Sequence, residues 1–155
     1  MEHYDIVVIG SGSGNTILDE DFADRRAAII DSGAFGGTCL NVGCIPTKMF
    51  VLPADFASSP SEAVRVGVDL QFRGASFASI RDRIFGRIDS ISKAGLSYRQ
   101  GLDNIDVYTG EAAFIDAHTL EAGAGVLLLT RLSWRLDRVR ECLMCLVSTI
   151  PACLG

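Results

Sequence analysis

Two cysteines five positions apart, Cys39 and Cys44, stand inside the string Gly36-Gly37-Thr38-Cys39-Leu40-Asn41-Val42-Gly43-Cys44-Ile45-Pro46-Thr47-Lys48. In an unbroken helix, residues at that spacing lie on different faces. Gly37 and Gly43 can bend the backbone there, so a reducible disulfide is geometrically possible. Pro46 has a fixed φ and no amide hydrogen, which suits the first turn of a helix and puts Cys44 at that helix's N-terminus. Unpaired backbone donors and the helix dipole would stabilise a thiolate there. The chemistry that fits is thiol–disulfide exchange. A plainer alternative stands beside it: cysteines often serve as small buried apolar residues, and this spacing alone decides nothing.

The elements that would position these sulfurs begin at the N-terminus. Tyr4-Asp5-Ile6-Val7-Val8-Ile9 reads as a buried parallel strand, and it leads into Gly10-Ser11-Gly12-Ser13-Gly14-Asn15. A second strand, Ala27-Ala28-Ile29-Ile30, ends at Asp31, and residues 16–26 are expected to form the crossover helix. Strand, glycine turn, helix, strand and acidic residue make a dinucleotide-binding βαβ unit. Gly10 permits the tight turn, and Gly12 lets a pyrophosphate approach the backbone. Ser13 and Gly14 open a helix whose N-terminus faces the phosphates. Asp31, 21 positions after Gly10, is placed to accept hydrogen bonds from an adenosine ribose. The third fingerprint glycine is missing, and Asn15 stands in its place. The competing reading is an ordinary Gly/Ser turn.

Downstream, helix is expected over 49–57, with Pro53 kinking or ending it, and a turn is expected over 58–61. Residues 67–72 read as extended. Residues 75–100 carry Phe77, Ile80, Ile84, Phe85, Ile88 and Ile91 near helical spacing, which predicts a long amphipathic helix with its arginines on a solvated face. Residues 104–108 and 112–115 alternate like a β-meander turning at Gly110.

Length and composition fit one cored domain: 155 residues, 48% hydrophobic. A net charge of −5 disfavours nucleic acid or an anionic membrane surface as the main partner. Residues 1–10 lack the pattern of a signal peptide, and residues 142–154 are too short and interrupted to span a bilayer, so a cytoplasmic location is expected. In that compartment a disulfide is expected to be catalytic. His3 and His118 read as surface residues, and no metal site is expected.

The thirteen-residue cysteine string resembles the redox-disulfide segment of the flavin-dependent pyridine nucleotide-disulfide oxidoreductases. Residues 12–15, 48–51, 85–89 and 104–108 are further similar to the N-terminal part of the mycothione reductase subfamily, whose members carry asparagine where Asn15 stands. The likeness covers about residues 1–129. It implies an α/β, Rossmann-like FAD-binding domain with a parallel sheet and a β-meander, truncated here. It also implies that NADPH reduces FAD, which reduces a Cys39–Cys44 disulfide, which reduces a small-molecule disulfide such as mycothione. Cys39 would be the interchange thiol and Cys44 the charge-transfer thiolate at the flavin ring. Lys48 would stand near flavin N5, and Thr38 and Cys39 would line the FAD site. In that family the parent enzyme is a homodimer whose partner subunit supplies a proton-donating histidine–glutamate pair. Other members of the superfamily (dihydrolipoamide dehydrogenase, glutathione reductase or mercuric reductase) and an inactive truncated stub stay open as alternatives.

From about Thr130 the sequence changes character. Residues 131–155 hold four basic residues against two acidic ones, reversing the balance of the remainder, and three of the five cysteines. One permitted back-translation of residues 130–140, read one nucleotide earlier, encodes a strand followed by the Ala-Gly-Ser-Arg-Pro segment that the family carries at this place. A frameshift near residue 130 is therefore the expectation, giving a partial FAD-binding domain over 1–129 and an aberrant tail over 130–155. On that reading the Cys142-Leu143-Met144-Cys145 spacing is an accident of the tail, with no partner pair to complete a zinc site.

Overall fold

The computed structural model describes residues 2–123 and 125–134, with side chains described up to Leu127. Of the tail expected to be aberrant, 130–155, residues 130–134 belong to the last strand, and the rest, with its three cysteines, lies outside the described residues. Among the described residues six strands form one sheet: β1 (Glu2–Ile9), β2 (Ala27–Asp31), β3 (Ile105–Thr109), β4 (Ala112–Asp116), β5 (Thr119–Ala122) and β6 (Gly125–Trp134). Their spatial order is β3-β2-β1-β6-β5-β4. The first four in that order are parallel, and β4, β5 and the start of β6 are antiparallel. Three α-helices accompany the sheet among the described residues: α1 (Gly37–Asn41), α2 (Cys44–Ala63) and α3 (Phe77–Gln100).

Alternation along β1 and β2 explains the layering. Ile6, Val8, Ala27 and Ile29 point to one face, where Leu18, Phe35 and Ile105 complete a buried cluster and Leu96 of α3 packs against it. Val7, Ala28 and Ile30 point to the other face and meet Leu120, Ala122 and Leu127 of the meander. Both faces of the parallel layer are thus covered, which is why its strands read as unbroken apolar runs. Each fully buried Ile or Leu contributes roughly 1.5–3 kcal/mol of transfer free energy. Tyr4 joins the meander side because the amides of Asp5 and Ile6 both reach the Arg26 carbonyl, at 2.9 and 3.4 Å, and the strand is irregular there.

Three expectations need correction. Residues 16–26 form no α-helix: two short 3-10 turns, Ser13–Ile17 and Glu20–Phe22, make the crossover. Asp19 caps the second turn through the Asp21 amide, and Asn15 bonds back to the loop before it, so side chains compete with helical pairing. The helix expected over 49–57 is present and does not end at Pro53, but 58–61 is no turn: α2 runs on through Pro60 to Ala63. There the hydroxyls of Ser58 and Ser59 both donate to the Asp55 carbonyl, at 3.0 and 2.8 Å. Residues 104–108 and 112–115 do not pair with each other: β3 joins β2, and β4 lies at the opposite end of the strand order. Gly110, at φ +146°, makes that departure possible. Its amide donates to the Asp31 carbonyl, and a side chain there would meet the Gly123 backbone at 3.4 Å. Residues 67–72, read only as extended, pair with no strand, and Gly67 itself is left-handed at φ +78°.

Helix α3 is present as read, capped by Ser76, whose hydroxyl accepts the Ser79 amide. Ile84 and Ile88 are buried, while Phe77, Phe85 and Ile91 are exposed. No helix among the described residues is long and apolar enough to cross a membrane.

Candidate functional site

Cys39 lies in α1 and Cys44 is the first residue of α2, and the two are joined as a disulfide with Cα atoms 4.9 Å apart. The break between the helices, at Val42 and Gly43, makes this possible. A Cβ on Gly43 would stand 2.8 Å from the Thr38 carbonyl oxygen and 3.1 Å from the Cys39 Cα, both backbone atoms that cannot swing aside. Glycine therefore lets the start of α2 close on α1. Pro46 sits buried in the first turn of α2, where its missing amide costs nothing. Both cysteines are exposed, and Lys48 follows one turn after Cys44, also exposed.

The segment carrying the sulfurs is fixed at several points. The Asn41 side-chain amide donates to the carbonyls of Ala34, Phe35 and Gly37, at 2.9, 3.2 and 2.9 Å. Phe35 is buried in the sheet-side core, and its carbonyl accepts the hydroxyl of Ser92 from α3 at 2.6 Å. Gly36, at φ +107°, turns the chain into α1. Its amide donates to the hydroxyl of Ser11, in the glycine turn, at 2.8 Å. Thr38, half-buried, gives its carbonyl to the Val42 amide at 3.0 Å.

The glycine turn meets the same point from the other side. Gly10, at φ +96°, leaves β1 with its amide on the Ile30 carbonyl at 2.7 Å. Ser11 is 1% exposed, and its amide donates to Asp31 Oδ2 at 2.7 Å while its hydroxyl donates to the same oxygen. Asp31 Oδ1 accepts the Gly33 amide at 2.8 Å. With two acceptor positions per carboxylate oxygen, Oδ2 is saturated and Oδ1 retains one. Gly12, Ser13 and Gly14 follow, with Ser13 and Gly14 opening a five-residue 3-10 turn in place of the expected helix.

Four supporting residues escaped the reading of the sequence: Ser11, Asn41, Ser92 and Arg99. Arg99 corrects an expectation, since it does not lie on a solvated face. Its guanidinium donates to the Asn15 side-chain oxygen, the Asn15 carbonyl and the Leu18 carbonyl at 2.8–3.1 Å. The asparagine in place of a glycine was the signal that some partner was needed. His118 lies in the β4–β5 turn and His3 in β1, as the surface reading expects. Among the described residues no group of three or more His, Cys, Asp or Glu is arranged to hold a metal.

Comparison with known proteins follows the same lines. No protein-family model matches the chain. It is 53% identical over 114 residues to mycothione reductase of Mycobacterium tuberculosis, covering 74% of this chain and 25% of that protein. It is 31% identical over 109 residues to dihydrolipoyl dehydrogenase of Bacillus subtilis, covering 69% of this chain and 23% of that one. Among solved structures, the HOCl-induced flavoprotein disulfide reductase RclA of Escherichia coli superposes with a TM-score of 0.69 at 26% identity, over 85% of this chain and 28% of the other. The chain thus spans about a quarter of the length of the curated relatives it matches.

Proposed function

Because the chain belongs to the flavoprotein disulfide reductase family, we propose that it is the flavin-binding and redox-active portion of a mycothione reductase. The whole enzyme, on this reading, is a cytoplasmic homodimer that uses NADPH to reduce the small-molecule disulfide mycothione. The greater identity to mycothione reductase than to dihydrolipoyl dehydrogenase, 53% against 31%, favours that substrate.

The residues present fit FAD. Gly10 and Gly12 keep side chains away from the turn at the end of β1, as a diphosphate requires. Ser13 and Gly14 begin the next turn, and Asp31 retains one acceptor position for a sugar hydroxyl. Thr38, Cys39 and Lys48 are the residues assigned to the flavin end. When bound, FAD supplies the electron pair that opens the Cys39–Cys44 disulfide.

The cysteines carry the exchange. Cys39, as thiolate, attacks one sulfur of the substrate disulfide, forming a mixed disulfide and releasing the first thiol. Cys44 then attacks Cys39, restoring the internal disulfide and releasing the second thiol. Two electrons pass to the substrate, and the two departing thiolates are protonated. The exposed position of both cysteines and the place of Cys44 in the first turn of α2 suit the attack and the thiolate.

The observation that carries the reading is the Cys39–Cys44 disulfide, whose helix is fastened to the glycine turn by Ser11. The test is to incubate the purified chain with FAD, desalt it and record the visible spectrum, then count thiols in Cys39→Ser and Cys44→Ser chains after mild reduction. Retained flavin, and thiols that re-pair only when both residues are present, support it. A colourless chain, or re-pairing that ignores these two positions, overturns it.

A further inference from the structure

Asn15 stands at the third glycine position of the fingerprint, and its side chain is used completely. Its Nδ2 donates to the carbonyls of Ser11 and Gly12, both at 2.7 Å. Its Oδ1 accepts from Arg99 Nε at 3.1 Å and from Arg99 Nη2 at 2.8 Å. A guanidinium can only donate, so Arg99 settles which end of the Asn15 amide faces the turn. With Oδ1 held by the arginine, the NH₂ group must face the two carbonyls.

That choice has a consequence for the backbone. In a planar trans peptide the carbonyl and the following amide point in opposite directions. Drawing the Ser11 and Gly12 carbonyls towards Asn15 therefore turns the amides of Gly12 and Ser13 to the other side of the turn. Successive amides presented on one side form an anion-binding concavity. The same arginine also donates through Nη2 to the Asn15 carbonyl and through Nη1 to the Leu18 carbonyl, at 2.8 and 2.9 Å. Its fork thus spans the 3-10 turn that replaces a crossover helix. Arg99 is well placed for this, in the last turn of α3, where a cation is favoured by the helix dipole.

We propose that Arg99 is a positioning residue for dinucleotide binding: acting through Asn15, it holds the glycine turn so that the Gly12 and Ser13 amides face the diphosphate. Asn15 and Arg99 together take over the ordering that a third glycine and a packed crossover helix would otherwise give. The role towards the diphosphate rests on the flavin reading above, but the clamp itself is judged without flavin.

The experiment compares wild-type chain, Arg99→Met, Arg99→Lys, Asn15→Ala and the Met/Ala double variant by amide hydrogen exchange without ligand, then by FAD titration. Arg99→Met and Asn15→Ala are each expected to speed exchange over residues 12–18, and to weaken FAD binding, by about tenfold, the scale of one charge-assisted hydrogen bond. The double variant is expected to be no worse than the worse single one, because the two residues act as one unit. Arg99→Lys should recover part of the loss. Exchange at β1 and β2 should stay at the wild-type rate. If Arg99→Met unfolds the chain and speeds exchange there too, Asn15→Ala and Arg99→Lys decide by the same measures. Unchanged exchange over 12–18, or fully additive effects, would overturn the clamp. Faster exchange with undiminished FAD affinity would overturn its role towards the diphosphate. Wild-type chain that takes up no FAD would overturn the flavin reading and with it that role, while the exchange comparison still judges the clamp.

Discussion

Ser11 and Asp31 share a doubled hydrogen bond: amide and hydroxyl of the one both donate to Oδ2 of the other. The same hydroxyl accepts the Gly36 amide, so the end of β1, the end of β2 and the entry to α1 converge on one buried side chain. The proposed ribose acid and the segment bearing Cys39 and Cys44 are therefore tied to each other through Ser11.

Replacing Ser11 by Ala is expected to destabilise the chain by about 1–3 kcal/mol, because the Gly36 amide loses its acceptor in a confined place. Urea midpoints at constant slope would measure this. A change under 0.5 kcal/mol, roughly the scale of an ordinary surface substitution, would show that water replaces the hydroxyl.

Gly43 is expected to matter more in the oxidised chain than in the reduced one. An alanine there presses on the Thr38 carbonyl and the Cys39 Cα, the backbone that must lie close for the sulfurs to join. Overpacking of this kind costs about 1–3 kcal/mol. Reduced chains can relax the contact by letting α1 and α2 separate. Gly43→Ala should thus lower the denaturation midpoint more without reductant than with it, and slow re-pairing of the Cys39 and Cys44 thiols. Equal losses in both states would count against this account.

Much of the site could be read from local sequence, because glycine, proline and cysteine act through short-range backbone geometry. The string from Gly36 to Lys48 announced a glycine bend and a helix start at Cys44; the helix starts there, and the preceding short helix over Gly37–Asn41 was not foreseen. The apolar runs of β1 and β2 likewise announced a doubly covered layer. What stayed hidden was long-range. Arg99 lies 84 positions from Asn15, and nothing in its helix sets it apart from Arg81, Arg83 or Arg87. Ser92 is an ordinary serine until Phe35, 57 positions away, places a carbonyl above it. The crossover was misread because βαβ units usually carry a helix there. In residues 13–24, asparagine and aspartate side chains instead bond to their own loop and favour 3-10 turns. The separation of β3 from β4 turned on the conformation at Gly110, which sequence alternation does not encode.

Tyr4 makes stability sensitive to alkali. It is fully buried, its hydroxyl donates to Asp106 Oδ2 at 2.6 Å, and Tyr108 lies 2.8 Å away. Burial first, then the hydrogen bond to the carboxylate, push its phenol well above the ordinary tyrosine range. The folded state therefore keeps a proton that the unfolded chain releases above about pH 10. Its contribution is whole below that pH and is lost as pH rises. Denaturant midpoints should fall from about pH 10 upward, and Tyr4→Phe should flatten the fall, at some cost near neutrality because Asp106 Oδ2 loses one of its two donors and keeps only Arg26. Parallel curves for the two chains would refute the assignment.

Phe50 is expected to be the residue that joins the two long helices. Its ring stacks on Phe77 with centroids 5.9 Å apart and meets Phe85 edge-on at 6.3 Å, joining α2 to the first half of α3. Phe77 is 66% exposed, so the cluster excludes only part of its surface from water. That bounds its worth. Aromatic pairing of this kind adds about 0.5–1.5 kcal/mol per pair beyond the area it buries. Phe50→Ala should therefore cost about 1–3 kcal/mol, short of the roughly 3–5 seen for a phenylalanine removed from a closed core. The loss should be local. Amides in the N-terminal half of α3 should exchange faster, while those near Ser92 and Arg99, held by bonds to Phe35 and Asn15, should keep their protection. Loosening spread evenly along α3 would mean that the helix is held as one block, and that the aromatic cluster has no separate role.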